Sequence, residues 1–157
     1  PVTFELAFYA ILIALLIGVF SGVLAALKRN TYLDFIPVAI AMIGICVPTF
    51  LMGPLLVLIF GINLEILPVS GWGQLPGDKI LPSVTLGFAY AAYIARLSRG
   101  GMLEVLNQDF IRTARAKGLN ERNVVIKHAM QGGLIPVVSF LGPAIAGLLA
   151  GSFVIET

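Results

Sequence analysis

Charge is what this sequence has least of. Only 11% of its 157 residues are Asp, Glu, Lys or Arg, whereas 59% are hydrophobic. Soluble domains carry about 25% charged and about 45–50% apolar residues, so a single water-surrounded core does not account for this chain. Cysteine is nearly absent: Cys46 stands alone, which excludes an internal disulfide and reads as a small buried hydrophobe. The single histidine, His128, has no Cys/His cluster around it, so no metal site is expected. No cofactor site is expected either. A G-x-x-x-x-G-K-[ST] phosphate loop is also missing, so the chain carries no nucleotide-hydrolysing motif of its own.

What is present is apolar sequence in long blocks. Four stretches lack Asp, Glu, Lys and Arg altogether: 6–27, 35–64, 80–95 and 129–155. A helix needs about 20 apolar residues to cross the hydrocarbon core. The expected fold class is therefore an all-α membrane protein, with membrane helices at about 4–27, 36–60, 81–99 and 132–155 and a basic connection at about 100–131. The third block is short, and Arg96 and Arg99 are expected to extend it by snorkelling. The second is long and contains Gly44, Pro48, Gly53 and Pro54. Neighbouring helices tolerate such residues in a membrane helix, and a kink is expected at Pro48. Gly61 and Asn63 mark its expected exit.

The basic residues are sorted. Nine of ten fall in the first and third connections: Lys28, Arg29, Arg96, Arg99, Arg112, Arg115, Lys117, Arg122 and Lys127. Only Lys79 falls in the second. By the positive-inside rule the first and third connections are cytoplasmic and both chain ends are external. Trp72, in the outer connection, is expected at the membrane–water interface. Glu5 and Glu156 are expected near outer interfaces too. A proton relay through His128 would need ionisable partners within the membrane, and the four blocks offer none.

The long basic connection reads as short helices broken by a glycine. Asp109 is a candidate N-cap, followed by two helical turns over 110–117. Gly118 suits the left-handed position after a helix, and Asn120 is a candidate second N-cap with Glu121 in the next first turn. Helices shorter than about 12–15 residues are marginal alone, so this pair is expected to rest on the membrane surface or on a partner protein. The blander reading is a basic loop that merely obeys the positive-inside rule. Nucleic acid is not an expected partner, because the bases adjoin membrane spans and few aromatics interleave with them.

The run Phe110-Ile111-Arg112-Thr113-Ala114-Arg115-Ala116-Lys117-Gly118-Leu119 resembles the cytoplasmic coupling signature of ABC importer permeases, and more narrowly the oligopeptide/dipeptide branch. His128-Ala129-Met130, Leu134-Ile135-Pro136-Val137 and Gly151-Ser152-Phe153-Val154-Ile155-Glu156-Thr157 continue the likeness, as do Lys28-Arg29-Asn30-Thr31 and the run from Ile94 to Gly100. The general signature opens Glu-Ala-Ala. Here Arg112, Thr113 and Ala114 stand in those positions, and Gln131 replaces a common proline, a variant that resembles the peptide branch. The resemblance implies a type I ABC importer transmembrane domain over 1–157, a fragment showing four of about six spans. It implies residence in the bacterial cytoplasmic (inner) membrane as a transport subunit and not an enzyme. The implied partners are a second homologous permease subunit, two cytoplasmic ATP-binding subunits and an external substrate-binding protein. The implied ATPase-coupling residues are Arg112, Thr113, Ala114, Gly118 and Leu119.

Small residues at four-residue spacing, Gly18 with Gly22 and Gly147 with Gly151, suit close helix packing in lipid. That packing is either internal or against a second subunit. A secondary transporter or channel subunit is the alternative reading of the spans, although such proteins place charged or polar groups at mid-depth. An intramembrane enzyme would need a catalytic constellation that these spans lack.

Overall fold

The computed structural model describes residues 2–69 and 77–156, and the side chains among them other than those of Thr49 and 150–156. Trp72, the packing around Gly151 and the Glu156 side chain lie outside what is described. Every regular element among the described residues is helical. In lipid the backbone must satisfy its own hydrogen bonds, and a helix does this within one segment.

The centre of the fold is the crossing of α1 (Val2–Leu27) on α4 (Ile80–Leu106). One face of α1 repeats a buried residue at every fourth position: Leu6, Ala10, Ala14, Gly18, Gly22 and Ala26. All but the first are small, so the α4 backbone comes close. A Cβ on Gly18 would lie 2.7 Å from the Ala91 carbonyl oxygen, and one on Gly87 would lie 2.7 Å from that of Ala10. Gly22 meets the Ala95 carbonyl and Ser98 in the same way. The paired positions rise together along both helices, so α1 and α4 run parallel. At one end the Lys79 ammonium meets the Glu5 carboxylate at 2.5 Å. Both Gly18 and Gly22 are thus occupied within this chain.

The second apolar block departs from the single kinked span expected over 36–60. α2 (Tyr32–Cys46) ends, and α3 (Thr49–Leu56) starts afresh after Pro48. A π-helical stretch, Val57–Asn63, continues α3, and the two arms are bent by 115°. Proline drives the residue before it out of the α region, and Val47 is extended (φ −86°, ψ 119°). Pro48 also lacks the N–H that would continue the helix. α2 alone is about 22 Å long at 1.5 Å per residue, short of the ~30 Å hydrocarbon core. Cys46, expected to be buried, is exposed at this break, because the chain turns away there before anything packs over it. Beyond Asn63 the chain folds back, with the Ile66 N–H donating to the Phe60 carbonyl.

α4 runs past the expected end of its span at 99 and continues unbroken to Leu106. Arg99 does not snorkel. It turns inward to Asp34, because a buried carboxylate needs a counter-charge. The last long helix, α8 (Ile135–Glu156), runs antiparallel to α4, with Gly147 against the Tyr90 hydroxyl and Phe140 stacked on Tyr93. Leu148 joins Leu6 and Leu86 in one buried cluster. Among the described residues, α1 and α4 are long and apolar enough to cross a membrane, and each bent pair makes one further candidate span. Large apolar side chains such as Phe4, Phe20, Phe35 and Phe50 stay exposed, as expected of a surface meeting lipid or other helices.

Candidate coupling site at the basic end

Past Leu106 the chain turns at Asn107, whose side-chain amide donates to the Leu103 carbonyl. α5 (Asp109–Ala116) follows. Its N-cap position is Gln108, not Asp109 as expected, and no side chain caps it. Asp109 sits instead in the first turn, where its charge suits the helix dipole and lies 3.6 Å from Arg112. α5 has two faces. Ile111 and Ala114 are buried, while Arg112, Thr113, Arg115 and Ala116 are exposed.

The buried face rests on a cluster built from four parts of the chain: Ala26 of α1, Met102 of α4, Ile111 and Ala114 of α5, and Val124, Val125 and Ala129 beyond the turn. Of the five residues implied as ATPase-coupling, Ala114 therefore lies inside, 7% exposed, as part of the seat. Arg112, Thr113, Gly118 and Leu119 form the outward side, and Phe110 joins them at 51% exposure.

The turn between the short helices is tightly specified. Gly118 has φ +78°, and nothing lies within 4 Å of where its Cβ would be. Its N–H donates to the Arg115 carbonyl at 2.9 Å. Asn120 caps the next helix, α6 (Glu121–Asn123), its side chain accepting from the Arg122 N–H at 3.0 Å. Arg115 forks across the turn onto Glu121 with bonds of 3.1 and 2.7 Å. That hydrogen-bonded guanidinium holds the Glu121 carboxyl below its ordinary value.

A π-helical segment (Val124–Ala129), half-burying His128, and α7 (Met130–Gly133) lead back to the bundle. There Gly133 packs on Met102, where a Cβ would lie 2.6 Å from its sulfur, and Gly101 packs on the Gly133 backbone. A bend of 49° then starts α8.

Sequence reasoning passed over two features. The Gly101–Gly133 approach joins residues in different elements, with no spacing to flag it. The Asp34–Arg99 pair (2.5 Å) joins residues far apart in the chain. Its one visible signal was Asp34 itself, a lone acid at the head of an apolar block. No group of His, Cys, Asp and Glu that could hold a metal ion occurs among the described residues.

Apolar helices of crossing length, joined by a short glycine-broken helical segment with an outward face, make this a membrane-embedded helical domain. The chain belongs to the family of binding-protein-dependent transport system inner membrane components, whose model matches residues 7–157. Its fold class is the type I ABC importer transmembrane domain. It is 50% identical to the oligopeptide transport system permease protein OppB of Salmonella typhimurium, over 100% of this chain and 52% of that protein. The OppB of Escherichia coli K12 is 49% identical over the same shares. The dipeptide transport system permease protein DppB of Bacillus subtilis is 46% identical, over 99% of this chain and 50% of that protein. The chain thus spans about half the length of the curated relatives it matches.

Proposed function

We propose that this chain is part of a membrane-spanning subunit of an ATP-driven importer of oligo- or dipeptides in a bacterial inner membrane. It lines the path with a second homologous permease subunit, receives substrate from an external binding protein and performs no hydrolysis itself. The basic end is cytoplasmic, and two separate ATP-binding subunits dock there. The observation that carries the reading is the two-faced α5. Its outward side offers Phe110, Arg112 and Thr113, with Leu119 exposed after the Gly118 turn that follows, while Ile111 and Ala114 seat it on residues of α1 and α4. A load on α5 therefore reaches two long helices through packed side chains, which transmit displacement because interiors are close-packed. The peptide transport of the OppB and DppB relatives supports the choice of substrate class.

The test is uptake of labelled trialanine into vesicles carrying the full complex, with ATP inside and an ionophore added. Uptake is expected to need ATP and to survive collapse of the proton and sodium gradients. Loss of uptake with the gradients while ATP remains would replace this reading by a secondary transporter.

A further inference from the structure

We propose that Asp34 and Arg99 form a latch that makes α2 follow α4, so that α2 moves with the coupling segment. The inference rests on the function proposed above. Asp34 is 1% exposed, and both of its carboxylate oxygens are used. Oδ1 accepts from Arg99 Nε at 2.5 Å, and Oδ2 accepts from Arg99 Nη2 at 2.8 Å. Oδ2 also accepts from the Asn30 N–H at 3.0 Å, and Asn30 adopts the left-handed φ of +62° in the tight corner between α1 and α2. A two-pronged guanidinium–carboxylate pair fixes orientation as well as distance.

The surroundings give that pair a mechanical role. Beside Arg99 a cavity of about 310 Å³ separates α2 from α1 and α4, with Ser21, Pro37, Ala41 and Ala95 on its wall. A further space of about 190 Å³ extends it toward Phe88. Small side chains and this space hold α2 loosely just above the pair, and farther up Gly44 packs closely on Phe88. Pro37 also interrupts the α2 hydrogen-bond ladder three residues after Asp34, and such a residue lets a helix bend. α4, in contrast, is continuous from Ile80 to Leu106. Gly101 and Met102, just beyond Arg99, pack directly on Gly133. Motion of the coupling segment thus arrives at Arg99 first, and the latch passes it to the base of α2. The far end of α2 is the break at Pro48, where α3 starts afresh.

The experiment uses the assembled full-length complex in proteoliposomes and reads trialanine taken up per ATP hydrolysed. The main variant combines Asp34→Asn with Arg99→Gln, which leaves no unpaired buried charge. It is expected to assemble and keep its basal ATPase rate, while uptake per ATP falls about tenfold, inside the range typical of coupling between sites. Arg99→Lys, which keeps the charge and loses the fork, is expected to lower the same ratio less. Wild-type uptake per ATP in the assembled double variant, or in Arg99→Lys if the double variant does not assemble, overturns the latch. Failure of both variants to assemble also overturns it, since the pair would then be a structural staple. A wild-type complex that does not couple uptake to ATP overturns the underlying function instead.

Discussion

α4 receives two neighbours in opposite ways. Against α1 it forms a zipper of small residues, with Gly18, Gly22 and Gly87 letting backbone meet backbone. Against α2 it leaves a cavity of about 310 Å³ and closes it at the base with the Asp34–Arg99 pair. In lipid no hydrophobic force draws helices together, so close packing has to supply the adhesion. The zippered interface has that packing from Leu6 to Ala26. The interface around the cavity is held by that polar pair at its base and by Gly44 against Phe88 farther up, the arrangement of a lever under the proposed latch.

The largest expected effect breaks the zipper. In Gly18→Leu the new side chain meets the Ala91 carbonyl and the Ile94 side chain at 2.7 Å. Backbone cannot step aside as a flexible side chain does, so destabilisation of about 3 kcal/mol is expected, the upper part of the range for overpacking. Thermal melting of the detergent-purified complex would show it as a lowered midpoint and reduced yield. An unchanged midpoint would mean that the α1–α4 contact is as loose as the one around the cavity.

A middle-sized effect on stability, with a large one on transport, is expected at Gly118. Its φ of +78° is unfavourable for a β-branched residue, at about 1–2 kcal/mol. No neighbouring atom lies in the way of a Cβ, so Gly118→Val strains the turn alone. Membrane insertion should stay normal while ATP-driven uptake falls about tenfold, as for loss of a typical coupling interaction. Wild-type uptake in this variant would show that force does not enter through this turn.

The smallest effect sharpens the contrast. Ala41→Val adds two methyl-sized groups on the α2 wall of the cavity. Ala41 is buried, but the added groups enter open space, so a destabilisation below the ~1–3 kcal/mol of overpacking is expected. A lowering as large as that of Gly18→Leu would show the α2 interface to be closely packed and would remove the lever argument.

Much of this organisation was legible because its causes are local. The length and apolarity of 6–27 and 80–95 make a helix the only way to satisfy the backbone in lipid. The Gly118 turn and the Asn120 cap were readable for a similar reason, since a left-handed residue and a side-chain cap each depend on a few neighbours. Pro48 announced a disturbance, but not its size. How far a helix opens at proline depends on whether neighbouring helices hold its two halves in line, which is decided outside the segment itself.

Composition and spacing by themselves determined that this chain is helical and membrane-embedded, that its basic residues gather at one end and that a glycine breaks the segment there. Charge is excluded from hydrocarbon, and glycine tolerates positive φ, whatever the rest of the chain does. Only the tertiary structure decided that Ala114 faces inward while Leu119 faces outward, that Gly22 is used up against Ala95, and that Arg99 turns to Asp34 instead of to the membrane surface. Those outcomes depend on which helix lies beside which. A buried carboxylate and a close backbone approach are stabilised only by the partner that the fold brings to them.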